Sequence, residues 1–319
     1  MKIYLFKTVC KGKVFILKMT PLLHLANTND PKMILFKRNF TLSDYLETRR
    51  KSGDRIGFVP TMGALHKGHI SLIQESKRLT DITVCSIFVN PTQFNDPKDF
   101  RKYPQTIEAD ILLLEKNGAD ILFLPAVEEI YSGGLTHLEH YELGELETIL
   151  EGKFRPGHFQ GVCQVMSRLL RAVNPDELFM GQKDYQQCLV VKRLLSLIKS
   201  KTTFHACATL RENDGLAMSS RNRLLNAKER ENAPAIHLAL SGIISKLKPG
   251  NLSSLLEQAK TLLLSHGFRI DYVETADAQN LEIIHDWDGK IQLVAVAAAF
   301  QDNTRLIDNM PMEIEHNPN

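Results

Sequence analysis

The chain has 319 residues, of which 43% are hydrophobic and 24% charged, a globular composition with enough length for two domains. The formal net charge is only +2, which argues against a nucleic-acid partner, and no apolar stretch is long enough to cross a membrane. The five cysteines form no Cys-x-x-Cys pair and are odd in number, which argues against a disulfide framework and favours a reducing, cytoplasmic compartment.

The first 32 residues differ in composition from the rest of the chain. They contain six lysines, one acidic residue (Asp30) and no arginine. They lack the continuous apolar core and the small-residue cleavage site of a signal peptide. We expect residues 1–32 to be an N-terminal extension that is unstructured or poorly packed, with the native start at Met33.

Strands and helices are predicted to alternate up to about residue 209. A first helix is expected to begin with Thr41 or Ser43 as its cap and to close before Ser52. After it, apolar β-rich runs alternate with segments of helical spacing. The predicted strands cover 56–59, 81–90, 119–125, 177–180 and 202–209, and the predicted helices cover 69–79, 104–117, 161–173 and 184–198. This order predicts an α/β fold with a parallel sheet and right-handed crossovers.

The pattern changes near Leu210. Beyond it the sequence predicts helices and then strands, which indicates a smaller α+β domain. These elements cover 226–247 and 252–266 (helices) and 271–276 and 291–300 (strands). We therefore predict an extension at 1–32, an α/β domain at 33–209 and a C-terminal domain at 210–319.

The most informative motif is His66-Lys67-Gly68-His69, which follows the strand at 56–59 and a short connection. Residues three apart share one face of a helix, so both imidazoles are expected at the helix start. The first amides of a helix have no internal partner and attract anions, so we expect a triphosphate site and nucleotidyl transfer. Two histidines that only cap a surface helix would have the same spacing. A zinc site would need further ligands nearby, which the sequence does not offer.

Two other segments have side chains that suit phosphate or ribose. In Gly181-Gln-Lys-Asp184, Lys183 could neutralise phosphate and Asp184 could cap a helix or bind a ribose. In Ala217-Met-Ser-Ser-Arg-Asn222, two hydroxyls adjoin Arg221, whose planar guanidinium fork suits phosphate oxygens. Taken alone, each segment is also compatible with a capped turn or a polar loop.

A fourth segment, Asn90-Pro-Thr-Gln-Phe94, places two amide side chains after an apolar strand. Asn90 and Gln93 suit a small polyol or hydroxy acid, although a plain β-turn would look the same. Ligands of open α/β sheets bind at the carboxyl ends of the strands. Because His66, Asn90, Gln93 and Lys183 all follow predicted strands, we expect them to converge on one sheet edge.

Together these segments resemble the pantothenate synthetase (pantoate–β-alanine ligase) family. The resemblance runs from about Met33 to about Met312, with the motifs in the family's order and spacing. The His-x-Gly-His element alone marks only the wider nucleotidyltransferase superfamily, whereas the combination is specific. The matching stretches are Pro60-Thr-Met-Gly-Ala-Leu-His-Lys-Gly-His69, Ile87-Phe-Val-Asn-Pro-Thr-Gln-Phe94, Phe159-Gln-Gly-Val162, Gly181-Gln-Lys-Asp-Tyr-Gln-Gln187 and Asp214-Gly-Leu-Ala-Met-Ser-Ser-Arg-Asn222.

The resemblance implies a Rossmann-like parallel-sheet domain, a smaller α+β C-terminal lid domain and a homodimer. It implies an ATP-dependent condensation of pantoate with β-alanine to pantothenate. The reaction would pass through pantoyl adenylate and release pyrophosphate and AMP. ATP would be a substrate with Mg²⁺ on its phosphates, and no residue is assigned as a metal ligand.

The resemblance also implies roles for individual residues. His69 would be the proton donor, and the other catalytic candidates are His66, Lys183 and Arg221. Gln93 and Gln187 would bind pantoate, with Gln93 also near β-alanine. Leu210 would meet adenine through its backbone. The ATP-binding set is Met62, Gly63, Ala64, Leu65, His66, Lys67, Gly68, His69, Gly181, Gln182, Lys183, Asp184, Leu210, Met218, Ser219, Ser220 and Arg221.

Two departures and two alternatives qualify this interpretation. Gln182 stands where the family commonly has glutamate, and Thr92 stands where methionine is frequent. Another His-x-Gly-His nucleotidyltransferase stays open, although no cationic pair for a phosphorylated acceptor accompanies the two glutamines. A nucleotide-binding regulatory module also stays open, although the intact histidine, lysine and arginine candidates favour catalysis.

Overall fold

The computed structural model describes residues 4–10, 13–19, 33–94 and 103–312. The strands are β1 (Tyr4–Cys10), β2 (Lys13–Met19), β3 (Ile34–Phe36), β4 (Ile56–Thr61), β5 (Ile82–Ile87), β6 (Ile121–Phe123), β7 (Glu177–Gly181), β8 (Thr203–Cys207), β9 (Gly250–Asn251), β10 (Phe268–Asp277), β11 (Asp286–Trp287), β12 (Leu293–Gln301) and β13 (Thr304–Pro311). The helices are α1 (Asn39–Lys51), α2 (Lys67–Leu79), α3 (Ile107–Lys116), α4 (Val127–Ile130), α5 (Glu151–Phe154), α6 (His158–Val173), α7 (Tyr185–Leu197), α8 (Ala227–Asn232), α9 (Ala235–Ser245) and α10 (Ser253–Ser265). Single 3₁₀ turns cover Pro91–Gln93, Gly144–Glu147 and Ser220–Leu224.

A six-stranded sheet in the order β3-β6-β5-β4-β7-β8 confirms the predicted Rossmann-like fold. The ladders between β4 and its neighbours β5 and β7 are parallel. Every residue of β5 is buried, as expected for a strand covered on both faces. Because β4 and β5 are adjacent and parallel, the connections that follow them begin at the same sheet edge.

The C-terminal region contains an antiparallel sheet in the order β10-β12-β13. One apolar cluster joins this sheet to the helices α9 and α10, with Leu240, Leu263 and Val273 among its fully buried members. This arrangement confirms the predicted α+β region. The strand β13 was not predicted from the sequence.

The chain divides into two compact units, and each unit is built from stretches that are not consecutive in the sequence. The first unit comprises Met1–Glu142, Gly157–Met180 and Val191–Cys207, and the second comprises Leu143–Pro156, Gly181–Val190 and Ala208–Asn319. The second unit thus includes two short segments that precede residue 210. The domain boundaries drawn from the sequence stay a prediction.

The predicted caps of the first helix are wrong. The helix α1 begins at Asn39 after the N-cap Arg38, so Thr41 and Ser43 lie inside it. Their hydroxyls donate to the carbonyl oxygens of Arg38 at 3.0 Å and Ala172 at 2.8 Å, so neither caps an amide of the first turn. The predicted end before Ser52 is confirmed.

The single helix predicted over 226–247 is also wrong. It is split into α8 and α9 at Pro234. Proline has no amide hydrogen, and its ring clashes with the preceding turn, so a helix does not run through it undisturbed.

The N-terminal strands β1 and β2 form an antiparallel pair that the sequence analysis did not predict. The rest of the predicted extension at 1–32 lies outside the described residues. Among the described residues, no helix combines the length and apolar character needed to cross a membrane.

Candidate active site

The two motif histidines stand at the first turn of α2. Nδ1 of His66, the N-cap residue, accepts the backbone N–H of Gly68 at 3.2 Å. Nδ1 of His69 accepts the backbone N–H of His66, also at 3.2 Å, so the imidazoles cap the helix reciprocally. Their ring centroids are 4.1 Å apart. Both rings therefore lie where the motif predicts them, and their catalytic roles stay a prediction.

This capping changes which donors an anion would meet. The sequence analysis expected open amides at the helix start, but the amides of His66 and Gly68 are bonded to imidazole nitrogens, so that expectation is wrong for these two. A nitrogen that accepts a hydrogen bond carries no proton, so a neutral ring that accepts through Nδ1 has its proton on Nε2. In this form, the proton of each ring lies on Nε2.

A buried carboxylate, which the sequence analysis missed, holds the connection before the histidines. Asp110 in α3 accepts the backbone N–H groups of Ala64 at 2.9 Å and Leu65 at 2.8 Å. Ala64 has a φ of 49°, a left-handed conformation that is costly for a residue with a Cβ atom. Gly63 also has positive φ, and an added Cβ would lie 3.2 Å from an Asp110 oxygen. Asp110 therefore fixes the path of the chain into α2.

The connections after β4 and β5 meet through the Gln93 side chain, which is buried. Gln93 Oε1 accepts from Asn90 Nδ2 at 3.1 Å, and Gln93 Nε2 lies 2.9 Å from Sδ of Met62. His158 supports the same turn, because its Nδ1–H donates to the Gln93 carbonyl oxygen at 2.9 Å. Within the first unit, the Met62 side chain thus contacts the Asn90–Gln93 turn, whereas the convergence of these amides with His66 stays a prediction.

The second unit contains the Gly181–Asp184 turn that follows β7. The backbone N–H of Asp184 donates to the Gly181 carbonyl oxygen at 3.3 Å. The buried Asn309, another residue missed from the sequence, donates through Nδ2 to the carbonyl oxygens of Gln182 at 2.9 Å and Lys183 at 2.8 Å. The turn is thereby hydrogen-bonded to β13.

Lys183 and Arg221 line one cleft within the second unit, and Ser219 and Arg305 line it as well. Ser219 Oγ accepts the backbone N–H of Arg221 at 3.2 Å, and Ser220 is buried. Lys183, Arg221 and a hydroxyl around one space suit a polyanion, whereas the charge of Arg305 is offset by Glu151 and Asp271. The structure thus brings together the lysine and arginine that the sequence selected and adds Arg305.

The position of Arg305 is set by a buried acid. Both Nη atoms of Arg305 donate to the Glu151 carboxylate, at 2.8 and 2.7 Å, and the Tyr272 hydroxyl donates to it at 2.8 Å. Burial alone would raise the pKa of Glu151, but the hydrogen bonds and charge of Arg305 outweigh burial and lower it to about 2. Glu151 is therefore an anion at neutral pH, and it orients Arg305 at the cleft.

The other predicted binding residues of the second unit are partly accessible. Leu210 is 39% exposed, and its carbonyl oxygen accepts the backbone N–H of Met218 at 2.9 Å. Gln187 in α7 is half-buried, whereas its neighbour Gln186 is buried and bonds the backbone of Glu151. The predicted convergence of Lys183 with the histidines stays a prediction, as do the ligand roles of these residues.

Comparisons with known proteins agree with the motifs. The family model described as pantoate-beta-alanine ligase matches residues 35–311. The pantothenate synthetase of Bacteroides thetaiotaomicron is 41% identical over 270 residues, which cover 83% of this chain and 94% of that protein. The chain belongs to the pantoate–β-alanine ligase family. It is accordingly a ligase.

Solved structures extend this result to the fold. The pantothenate synthetase of Thermus thermophilus matches with a TM-score of 0.81 and 36% identity, covering 87% of this chain and 99% of that one. The pantoate–β-alanine ligase of Francisella tularensis, whose structure is described as a complex with beta-gamma ATP and β-alanine, matches with a TM-score of 0.74 and 35% identity. The match covers 88% of this chain and 97% of that one.

Proposed function

We propose that this ligase condenses pantoate with β-alanine in two steps. In the first step, the pantoate carboxylate attacks the α-phosphate of ATP, which forms pantoyl adenylate and releases pyrophosphate. In the second step, the β-alanine amine attacks the acyl carbon, which forms pantothenate and releases AMP. The observation that carries the proposal is the reciprocal cap of His66 and His69, which fixes two Nε2–H donors after a buried strand.

These donors suit the first step. Negative charge grows on the phosphorus oxygens and on the departing pyrophosphate, and fixed donors aimed at that charge lower the barrier. We assign this role to His69 and His66. Because no covalent enzyme intermediate is required, the absence of an obvious nucleophile is no objection.

The cleft lined by Lys183 and Arg221 in the second unit would hold the triphosphate. We assign Lys183 and Arg221, which line it, to the phosphates. The remaining ATP-site candidates follow from the family resemblance: Met62 to Gly68 beside the nucleotide, Gly181, Gln182 and Asp184 at phosphate and ribose, and Leu210 and Met218 near the base. Ser219 and Ser220 would close with Arg221 and keep water from the adenylate, which hydrolyses readily.

The small substrates are assigned to the glutamines. Gln93 and Gln187 would bind pantoate, and Gln93 would also lie near β-alanine. The Francisella neighbour was solved with beta-gamma ATP and β-alanine, which supports ATP and β-alanine as substrates.

Mg²⁺ would arrive on the ATP phosphates as part of the substrate. No cluster of three or more histidine, cysteine, aspartate or glutamate side chains that could hold a metal lies among the described residues. A homodimer and a cytoplasmic location remain further parts of the proposal. Cys85, Cys163, Cys188 and Cys207 form no disulfide bond, which is compatible with a reducing compartment.

The decisive experiment is AMP formation with ATP, pantoate and β-alanine, omitting each substrate in turn. Pantoate alone should support exchange of labelled pyrophosphate into ATP, since the first step needs no β-alanine. Repeated turnover to AMP should require ATP, pantoate and β-alanine together. Exchange without pantoate, or AMP formation with another acid in its place, would contradict the proposal.

A further inference from the structure

The amide of Asn90 has a fixed polarity. Its Nδ2 atom donates to the carbonyl oxygen of Gly161 at 3.0 Å, and a carbonyl oxygen can only accept. Its Oδ1 atom therefore faces the other way, where it accepts the Tyr131 hydroxyl at 2.7 Å. Tyr131 is only 3% exposed, and burial raises the pKa of its phenol, so it remains a donor. The Gly161 carbonyl oxygen excludes the flipped amide, and the Tyr131 hydroxyl stabilises the observed orientation by donating to Oδ1.

This polarity is passed on to Gln93. Because Asn90 presents Nδ2, the atom of Gln93 that faces it at 3.1 Å must be the acceptor Oε1. Gln93 Nε2 consequently points away and lies 2.9 Å from Sδ of Met62. A thioether sulfur is a weak acceptor, so a ligand oxygen competes with it easily. The amide donor of Gln93 thus lies beside the segment that leads to the histidines.

We propose that Tyr131, acting through Asn90, fixes the Gln93 amide with its N–H donor toward the acid substrate. The inference rests on the proposed function, in which Gln93 binds pantoate. Carboxylate and hydroxyl oxygens accept from an N–H group, whereas a flipped amide would present an oxygen that repels a carboxylate. Tyr131 is a positioning residue, since its contact is to Asn90.

A second observation strengthens the relay. The Thr92 hydroxyl lies 3.1 Å from the Tyr131 hydroxyl and 3.2 Å from Asn90 Oδ1, so its single proton can go to either oxygen. The backbone N–H of Thr92 also donates to Asn90 Oδ1, at 3.4 Å. All these donors meet the oxygen end of the amide and none meets the nitrogen end, which holds Asn90 in one orientation.

The test compares Tyr131→Phe with the matched control Tyr141→Phe. Tyr141 is 8% exposed, and its buried hydroxyl has no hydrogen-bond partner among the described residues. We expect Tyr131→Phe to raise the KM for pantoate about tenfold, as for the loss of an orienting hydrogen bond, with the KM for ATP unchanged. Tyr141→Phe should leave both KM values as in the wild type. Thermal unfolding of both variants monitors folding.

A double-mutant cycle with Gln93→Ala separates the relay from a purely structural role. If Tyr131 acts through Gln93, Tyr131→Phe should add nothing to pantoate binding in the Gln93→Ala background, measured by calorimetry. Three outcomes would overturn the inference and leave the proposed function standing. These are full additivity of Tyr131→Phe and Gln93→Ala in pantoate binding, an unchanged KM for pantoate in Tyr131→Phe, or an equal rise in its KM values for pantoate and ATP. A wild-type protein without pantoate-dependent AMP formation would instead overturn the proposed function, and the inference with it.

Discussion

His69 accepts the backbone N–H of His66 through Nδ1 at 3.2 Å, and the two ring centroids lie 4.1 Å apart. The same nitrogen cannot both accept this bond and carry a proton, so the cap selects the Nε2–H form of the ring. The His69 side chain thereby combines an observed helix cap with the proposed role of catalytic donor. This combination can be separated by substitution.

The substitution His69→Asn is predicted to keep the cap and remove the donor. The asparagine oxygen lies about where Nδ1 lies, so it can accept the N–H of His66, but no group replaces Nε2. We expect the adenylation rate to fall by about a hundredfold, as for the loss of one transition-state donor. The free energy of unfolding should change by less than about 1 kcal/mol. Pantoate-dependent pyrophosphate exchange and denaturant unfolding measure the two effects.

The reverse substitution is His69→Gln, which can place an amide nitrogen near Nε2 but offers no acceptor at the position of Nδ1. It should be less stable than His69→Asn and retain more exchange activity. If His69→Asn exchanged pyrophosphate at a near-normal rate, the donor role of His69 would be wrong.

A second prediction concerns Asp110, whose two oxygens each accept one backbone amide, from Ala64 and from Leu65. In Asp110→Asn, one of these amides would face an NH₂ group and lose its acceptor. We expect a loss of about 1–3 kcal/mol in unfolding free energy, the cost of an unsatisfied buried donor. We also expect a lower kcat, because this connection positions His66. Denaturant unfolding and steady-state AMP formation measure both.

The control for Asp110 is Glu108→Gln, which removes an exposed charge from the first turn of the same helix. It should leave stability and kcat close to the wild type. A lower stability of Asp110→Asn with an unchanged kcat would show that Asp110 supports the fold without affecting the reaction.

The elements and motifs were predictable because their signals are local. Runs of apolar residues gave β4 and β5, and the histidine motif directly after β4 placed both imidazoles on α2. The local signal at Pro234 was overlooked, which is why one helix was predicted where there are two.

The supporting residues were not predictable in the same way. Asp110 contacts amides that precede it by 45 and 46 residues, and Asn309 contacts carbonyl oxygens more than 100 residues away. No spacing rule connects such partners. The one local signal for Asp110 is its place on a helix face with the fully buried Leu114, because an acid there needs hydrogen-bond partners.

A third prediction is an acid-sensitive contribution from Glu151. Its pKa in the folded protein, about 2, lies below the ordinary value of 4.5. A carboxylate with a lowered folded pKa stabilises the fold above its unfolded pKa, and this contribution disappears as the pH falls through the folded pKa. The difference between the two values corresponds to about 3 kcal/mol of unfolding free energy. The contribution should therefore be complete above about pH 5 and nearly lost at about pH 2.

The measurement is the free energy of unfolding of Glu151→Gln against pH. The variant should be less stable than the wild type at pH 7, because Arg305 loses one of its two charged partners and keeps only Asp271. Its stability should fall less between about pH 5 and pH 2. Glu231→Gln, an exposed substitution in the same unit, should keep the wild-type slope. If the free energy of unfolding changed equally with pH in the wild type and in Glu151→Gln, the lowered pKa of Glu151 would be contradicted.

The last prediction compares two helical glycines. A Cβ atom on Gly161 in α6 would lie 2.3 Å from the carbonyl oxygen of Thr92 and 2.8 Å from Cα of Gln93, whereas a Cβ on Gly242 in α9 would meet nothing within 4 Å. Gly161→Ala must therefore push the turn that carries Gln93 away from α6 and strain the bond from Asn90 to the Gly161 carbonyl oxygen. We expect a loss of about 1–3 kcal/mol in stability and a rise of about tenfold in the KM for pantoate.

Gly242→Ala should instead stabilise the protein by about 0.5–1 kcal/mol, the usual gain when alanine replaces glycine inside a helix, and leave the kinetics unchanged. Denaturant unfolding and pantoate titrations on both variants make the comparison. Because both substitutions add the same methyl group to a helix, a difference between them reports the contact with the Gln93 turn. If Gly161→Ala matched Gly242→Ala in stability and pantoate KM, the close approach of α6 to that turn would have no part in binding the acid.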